Sequence, residues 1–303
     1  MNSQSSSLPD SRPRSPEIAP AVISPARRLY WSVRRELYEH RVLYIAPLAA
    51  AALFLLGFLI SLPTLPRHMR AALALGPTEQ RHMIEQPYIV AEGLIMVTGF
   101  VLVLYYCLDA LYSERRDRSI LFWKSLPVSD LTTVLSKATI PVLLILFSFV
   151  ITVALQLIML VISTPVLLGS GLGARPLWTE LSLFERSQGL LSHLLTVHTL
   201  WYAPIYGWLL MVSAWARRAP FVWAVLPLVA IGFAEKIAFN TSNFAAWLVY
   251  RISGPAPDAG GMAMDPMTAH VNIWTTPGLW IGLAVAAVFL WAAVRLRRYR
   301  GPI

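Results

Sequence analysis

Asp109-Ala110-Leu111-Tyr112-Ser113-Glu114-Arg115-Arg116-Asp117-Arg118-Ser119-Ile120-Leu121-Phe122-Trp123-Lys124-Ser125-Leu126-Pro127-Val128-Ser129-Asp130, running on to Lys137 and Ala138, is a long charged segment between two apolar runs. Each run is long enough to cross a bilayer, so the segment reads as a water-exposed platform held at both ends by membrane helices. Tyr112 to Trp123 can continue the preceding helix, with Glu114 facing Arg118 at i,i+4 and Ile120, Leu121 and Trp123 offering apolar surface. Pro127 breaks that helix and forces Leu126 out of the helical region. Ser129 is placed to cap a new helix whose first turn carries Asp130 at the positive end of the dipole.

In this order the elements resemble the loop between the second and third membrane helices of ABC-2 type transporter permeases. They read Glu114-Arg115-Arg116-Asp117-Arg118, then Ile120-Leu121-Phe122, then Leu126-Pro127-Val128-Ser129, then Val134-Leu135-Ser136-Lys137. The resemblance implies a coupling helix, within 112–138, that docks on a separate ATP-hydrolysing subunit. Glu114, Arg115, Arg118, Leu121, Phe122, Trp123 and Lys124 are its candidate contact residues. An aromatic pair rimmed by charge suits an interface better than an ordinary solvated loop does.

Working outward, the composition agrees with membrane insertion. Hydrophobic residues make up 56% and charged residues only 14%, against about half and a quarter in soluble domains. The formal charge of +9 raises nucleic acid as a partner, but the positions of the charges point to lipid headgroups instead. Cys107 is the single cysteine, which excludes an intrachain disulfide, and its apolar setting suits an inert buried thiol.

Residues 1–25, rich in Ser and Pro, lack the apolar side chains needed to fold and read as a disordered tail. They do not read as a signal peptide, because the first long apolar run begins only near Val42. Over 26–41, Ala26, Tyr30, Val33 and Leu37 recur at helical spacing among Arg27, Arg28, Arg34, Arg35 and Arg41. That pattern predicts an amphipathic elbow helix lying in the membrane interface, with Arg27, Tyr30, Arg34 and Leu37 as its candidate interfacial residues.

Six apolar runs, near 42–62, 88–111, 139–168, 196–216, 219–239 and 273–294, predict an all-α polytopic membrane protein with a six-helix permease domain over 42–303. The fourth and fifth are separated only by Arg217, Arg218 and a turn before Pro220. With the N-terminus inside, eighteen of the 25 Lys and Arg lie on the inner side, so the positive-inside rule puts both termini and the platform in the cytoplasm. The resemblance adds a bacterial inner membrane. On the last span, Gly278, Gly282 and Ala286 form a ridge of small residues suited to close helix packing, within the subunit or against a second copy.

Outside, the 235–272 connection carries Phe239, Phe244, Trp247, Leu248 and Tyr250 before Gly254-Pro255-Ala256-Pro257 and Gly260-Gly261, and predicts a short helix dipping back into the outer leaflet over 237–252. His68, His82, His193, His198 and His270 match no metal-ligand spacing. Glu92, Asp109 and Glu235, near span ends, read as snorkelling or interface groups. Gly169-Ser170-Gly171-Leu172-Gly173 lacks the lysine of a phosphate-binding loop, so no cofactor is expected in this chain, and ATP and Mg belong to the partner.

The expectation is therefore a non-catalytic exporter subunit that pairs with a second permease, most simply itself, and with two cytoplasmic ABC ATPase subunits. The alternative is a secondary transporter or channel without an ATPase. A membrane enzyme finds no Ser/His/Asp set or HExxH to support it.

Overall fold

The computed structural model describes residues 24–125, 128–254 and 273–303. Residues 1–23 of the expected tail, the Leu126-Pro127 turn and the 255–272 part of the outer connection, with His270, lie outside the described residues.

Ser24 opens the first helix: its hydroxyl accepts the Arg27 N–H at 3.4 Å, and Pro25 occupies the first turn, where a missing N–H costs nothing. This helix, α1 (Pro25–Glu39), turns Val33 and Leu37 into the core and leaves Tyr30, Trp31 and Tyr38 exposed. There follow α2 (Val42–Ser61), a 3-10 turn (Leu62–Thr64), α3 (Leu65–Leu73) and α4 (Pro77–Asp109). The charged segment forms α5 (Tyr112–Arg116) and α6 (Ser119–Ser125), and α7 (Asp130–Gly169) leads away from it. Ser129 caps α7 through the Thr132 N–H at 3.1 Å, with Asp130 in the first turn, as the sequence predicts. Beyond lie α8 (Arg175–Leu181), α9 (Leu183–His193), a π-helical stretch (Leu194–Trp201), α10 (Ala203–Trp215), α11 (Pro220–Phe239), α12 (Asn243–Ser253), a 3-10 turn (Ile273–Thr275) and α13 (Pro277–Tyr299).

Helix takes up 88% of the described residues and no strand occurs among them, so the fold is all-α. Among the described residues, five helical stretches are long and apolar enough to cross a membrane: Val42–Leu73, Pro77–Arg116, Asp130–Gly169, Pro220–Phe239 and Pro277–Tyr299. The protein is membrane-embedded.

The run expected as the fourth span, 196–216, is divided between the π-helical stretch and α10. Pro204 has no N–H to continue an α-helical ladder, and the register changes just before it, where the Tyr202 N–H reaches back five residues to the Val197 carbonyl at 3.0 Å. The remaining helix, α10, has 13 residues and so reaches only about 20 Å. The expected turn between the fourth and fifth runs is present: α10 ends at Trp215, and Ala219 takes a left-handed φ of 46° before α11 begins.

Two apolar cores are strung along the α4–α7 pair. One joins Leu43, Val103, Tyr106, Ile140 and Leu144 to Trp201, Tyr206 and Leu210. The other joins Phe58, Met69, Ile84, Ile95, Ile151, Leu155 and Leu167 toward the opposite end. Between them α4 and α7 touch at Gly99, where an added Cβ would stand 2.6 Å from the Ser148 hydroxyl oxygen and would force that hydroxyl to turn away. By contrast α11 buries only Ala224 and presents Phe221, Leu226, Val229 and Phe233 outward, the pattern of a lipid-facing helix.

Candidate functional site

Helices α1 and α13, at the two described ends of the chain, and the charged segment meet at one end of the bundle, around a buried ionic hub. Lys137 of α7, 1% exposed, donates to both oxygens of Glu36 of α1, which is 0% exposed, each at 2.9 Å. Its ammonium also lies 3.1 Å from Glu114 Oε1 of α5. Arg297 of α13 pairs with the other oxygen of Glu114 and, at 3.1 Å, with Asp130 at the start of α7. Arg35 reaches Glu36 at 2.7 Å, and the Tyr106 hydroxyl of α4 donates to Glu36 Oε2 at 3.0 Å.

Glu36, Glu114 and Asp130 are thus balanced by Lys137, Arg297 and Arg35, which is what lets so much charge leave water. Burial alone would raise the Glu36 carboxyl. The Lys137 ammonium and the hydrogen bonds from Lys137 and Arg35 outweigh burial and hold it down at about 2.

This geometry redistributes the expected docking residues. Glu114 does not face Arg118; it turns inward, because two buried cations outweigh an exposed i,i+4 pair, which contributes about 0.3–0.5 kcal/mol. Nor is Tyr112 to Trp123 one helix. It breaks at Arg118, which adopts a left-handed φ of 58°. Arg115 is buried and donates to the Ala214 and Ala216 carbonyls at 2.7 and 3.1 Å, satisfying the open C-terminal end of α10. Trp123 lies half-buried with the Arg35 guanidinium 3.8 Å from its ring centre, and Lys124 donates to the Arg298 and Arg300 carbonyls. The Ile303 N–H donates to the Arg115 carbonyl at 3.2 Å, so the C-terminal residues fold onto the segment.

What stays open is Arg116, Asp117 and Arg118 with Leu121 and Phe122, 58% and 59% exposed. Beside them is a concavity of about 410 Å³ between α6, the first turn of α7 and the end of α13, lined among others by Trp123, Ser129, Leu131 and Arg298.

On α1, Arg27, Tyr30 and Arg34 are outside the hub, with Arg34 over the Trp31 and Tyr38 rings, while Leu37 packs inward. On α13, the Gly278–Gly282 notch is filled by the side chain of Arg251 from α12. A Cβ on Gly282 would stand 1.4 Å from Arg251 Nη2, and that atom donates to the Gly278 carbonyl at 3.2 Å. Ala286 lies against Gly207 of α10. Trp201 and Tyr202 donate to the Arg251 and Ile252 carbonyls, holding the end of α12 to the π-helical stretch.

Two other span-end acids have definite tasks. Glu235 caps α12, accepting the Asn243 and Phe244 N–H groups at 2.8 Å each. Glu92 does not snorkel. It is buried between α4, α7 and α9, accepting from Arg186 at 2.9 Å and Gln156 at 3.1 Å. Glu36, Glu39 and His40 bring ligand atoms within 4.8 Å of one another, but the Glu36 oxygens are already committed to Lys137, Arg35 and Tyr106.

Sequence reading missed Lys137; the signal that could have found it is an ionisable group at the mouth of an apolar run, which needs a partner. Glu36 shares the face of Val33 and Leu37 and could have been matched to it. Comparison with family models, with curated proteins and with solved structures finds no match, so the functional reading rests on the chain's own residues.

Proposed function

We propose that the chain is the membrane-spanning permease subunit of an ABC-2 type exporter, driven by ATP hydrolysed on a separate ATPase and working as a pair of permeases with two such ATPases. The carrying observation is the join between an exposed apolar knuckle and a buried hub. Leu121 and Phe122 offer a partner an aromatic and an aliphatic anchor, with Arg116 and Arg118 as charged neighbours. The hub behind them links α5 to α1, α7 and α13, so a push on α6 is passed to spanning helices rather than absorbed by a loop. Arginines grouped at this end support a cytoplasmic orientation in the inner membrane. The docking face is accordingly narrower than the sequence suggests: Arg118, Leu121, Phe122 and the exposed side of Lys124, with Glu114 and Arg115 as supports.

The test is co-purification from native membranes. An ABC ATPase retained by the full chain and lost from Leu121→Asp/Phe122→Asp, with thermal stability unchanged, supports the reading. Retention of no ATPase by either overturns it.

A second reading, a transporter without an ATPase, has Glu92 in its favour, since an acid buried between spanning helices is a proton- or ion-coupling group in such proteins. Transport that follows a pH gradient, and is lost in Glu92→Gln while ATP is absent, would favour it.

A further inference from the structure

The concavity of about 410 Å³ between α6, the first turn of α7 and the end of α13 holds an imbalance of charge. Lys124, Arg297 and Arg298 bring three positive charges to its lining, and Asp130 brings the one negative charge. Asp130 and Arg297 are already paired with each other at 3.1 Å within the hub. Lys124 and Arg298, both exposed, make no ion pair among the described residues. Lys124 reaches only the Arg298 and Arg300 carbonyls, at 3.3 and 3.5 Å, and the Arg298 guanidinium stands 5.9 Å from the Tyr299 ring. Two cations thus share one hollow without a counter-ion. The smaller concavity at the other end of the bundle, about 270 Å³ between α2, α3 and α4, has no Lys, Arg, Asp or Glu in its lining.

The level of the charged concavity narrows the choice of anion. α13 has 23 residues, a rise of about 35 Å, and carries Arg297 and Arg298 in its last turn, so the concavity lies where hydrocarbon gives way to headgroups. Basic pockets between spanning helices at this level suit anionic lipid headgroups. The apolar part of the lining leads the same way. From Leu131 the exposed Leu135 follows one turn along α7, and from Val294 the exposed Trp291 follows along α13, both toward the middle of the bilayer. The volume is within the range of roughly 300–1,000 Å³ that takes small ligands, enough for a phosphate with its glycerol.

We propose that this concavity binds the headgroup of an anionic glycerophospholipid, its phosphate against Lys124 and Arg298 and its chains along Leu131, Leu135 and Trp291. The proposal stands apart from the ATPase reading, because it needs only the membrane placement of the chain.

The test is native mass spectrometry of the full chain, released from detergent micelles after titration with phosphatidylglycerol or with phosphatidylcholine of the same chains. One phosphatidylglycerol should be retained at concentrations where phosphatidylcholine is lost. Arg298→Gln and Lys124→Gln should each weaken that retention about fivefold. Leu131→Trp fills the concavity from its apolar side without changing charge, and should weaken it too. Arg217→Gln/Arg218→Gln removes charge from the α10–α11 turn at the same end and should leave retention unchanged. An equal loss in that pair means a diffuse basic surface and overturns the proposal. Displacement of the lipid by an equal concentration of inorganic phosphate means a site for free phosphate, and overturns it as well. Retention unchanged in Arg298→Gln, Lys124→Gln and Leu131→Trp also overturns it, and loss of ATPase co-purification in the same variants would assign the concavity to a protein partner instead.

Discussion

The two ends of the α4–α7 pair hold charge in different ways. At the hub, three carboxylates and three cations close on one another with Glu36 and Lys137 wholly out of water, and the partners come from α1, α5, α7 and α13. At the other end Glu92 is buried, but its cation Arg186 is 14% exposed and continues to Glu85 and the largely exposed Arg81. The closed network ties both described ends of the chain into one block, whereas the open one joins only neighbouring helices beside an apolar concavity. A closed charge network at one end and an open one at the other is the difference that the proposed lever would draw on.

The largest expected effect is at the hub. Lys137→Met leaves Glu36 and Glu114 buried without their shared cation and should cost about 3–5 kcal/mol, read as a lower unfolding midpoint in detergent. Adding Glu36→Leu to that variant should recover part of the loss, because removing both members of a buried pair is far cheaper than removing one. Arg186→Met at the open end should cost clearly less, since Glu92 keeps Gln156 and water can reach the vacated side. Equal losses at the two ends would erase the contrast.

Acid should separate the ends further. The Glu36 carboxyl is held at about 2 against an ordinary value of 4.5, so its folded value is depressed. Its contribution to stability is complete above the ordinary value and fades as pH falls from about 4.5 toward about 2. Unfolding midpoints of the wild type should fall through that window, and Lys137→Met should flatten this part of the profile.

The smallest effect belongs to Arg118. Its left-handed backbone strains any L side chain by about 1 kcal/mol, so Arg118→Gly should hold or slightly raise the unfolding midpoint.

What the sequence showed and what it hid divide along the same line. The spanning helices α2, α4, α7, α11 and α13 were readable because an unbroken apolar run of that length has few other fates. The 196–216 run is harder to read, because its composition is that of a span while its helix changes register between the π-helical stretch and α10, which composition does not show. The hub was hidden by distance along the chain: Lys137 and Glu36 are 101 residues apart, and Arg297 and Glu114 are 183 apart. Glu114 and Arg115 were read as surface because charged residues next to an exposed aromatic usually are, and only the arrival of α13 and the α10 carbonyls reverses them.

The measurement that goes straight to the central claim is site-specific photocrosslinking from position 122 in native membranes, with the adducts identified by mass spectrometry. Crosslinks from that position to an ABC ATPase, lost when Leu121 is replaced by Asp, are the result expected of a docking knuckle anchored by the hub. Crosslinks only to lipid, or only to residues 297–303 of the same chain, would contradict it.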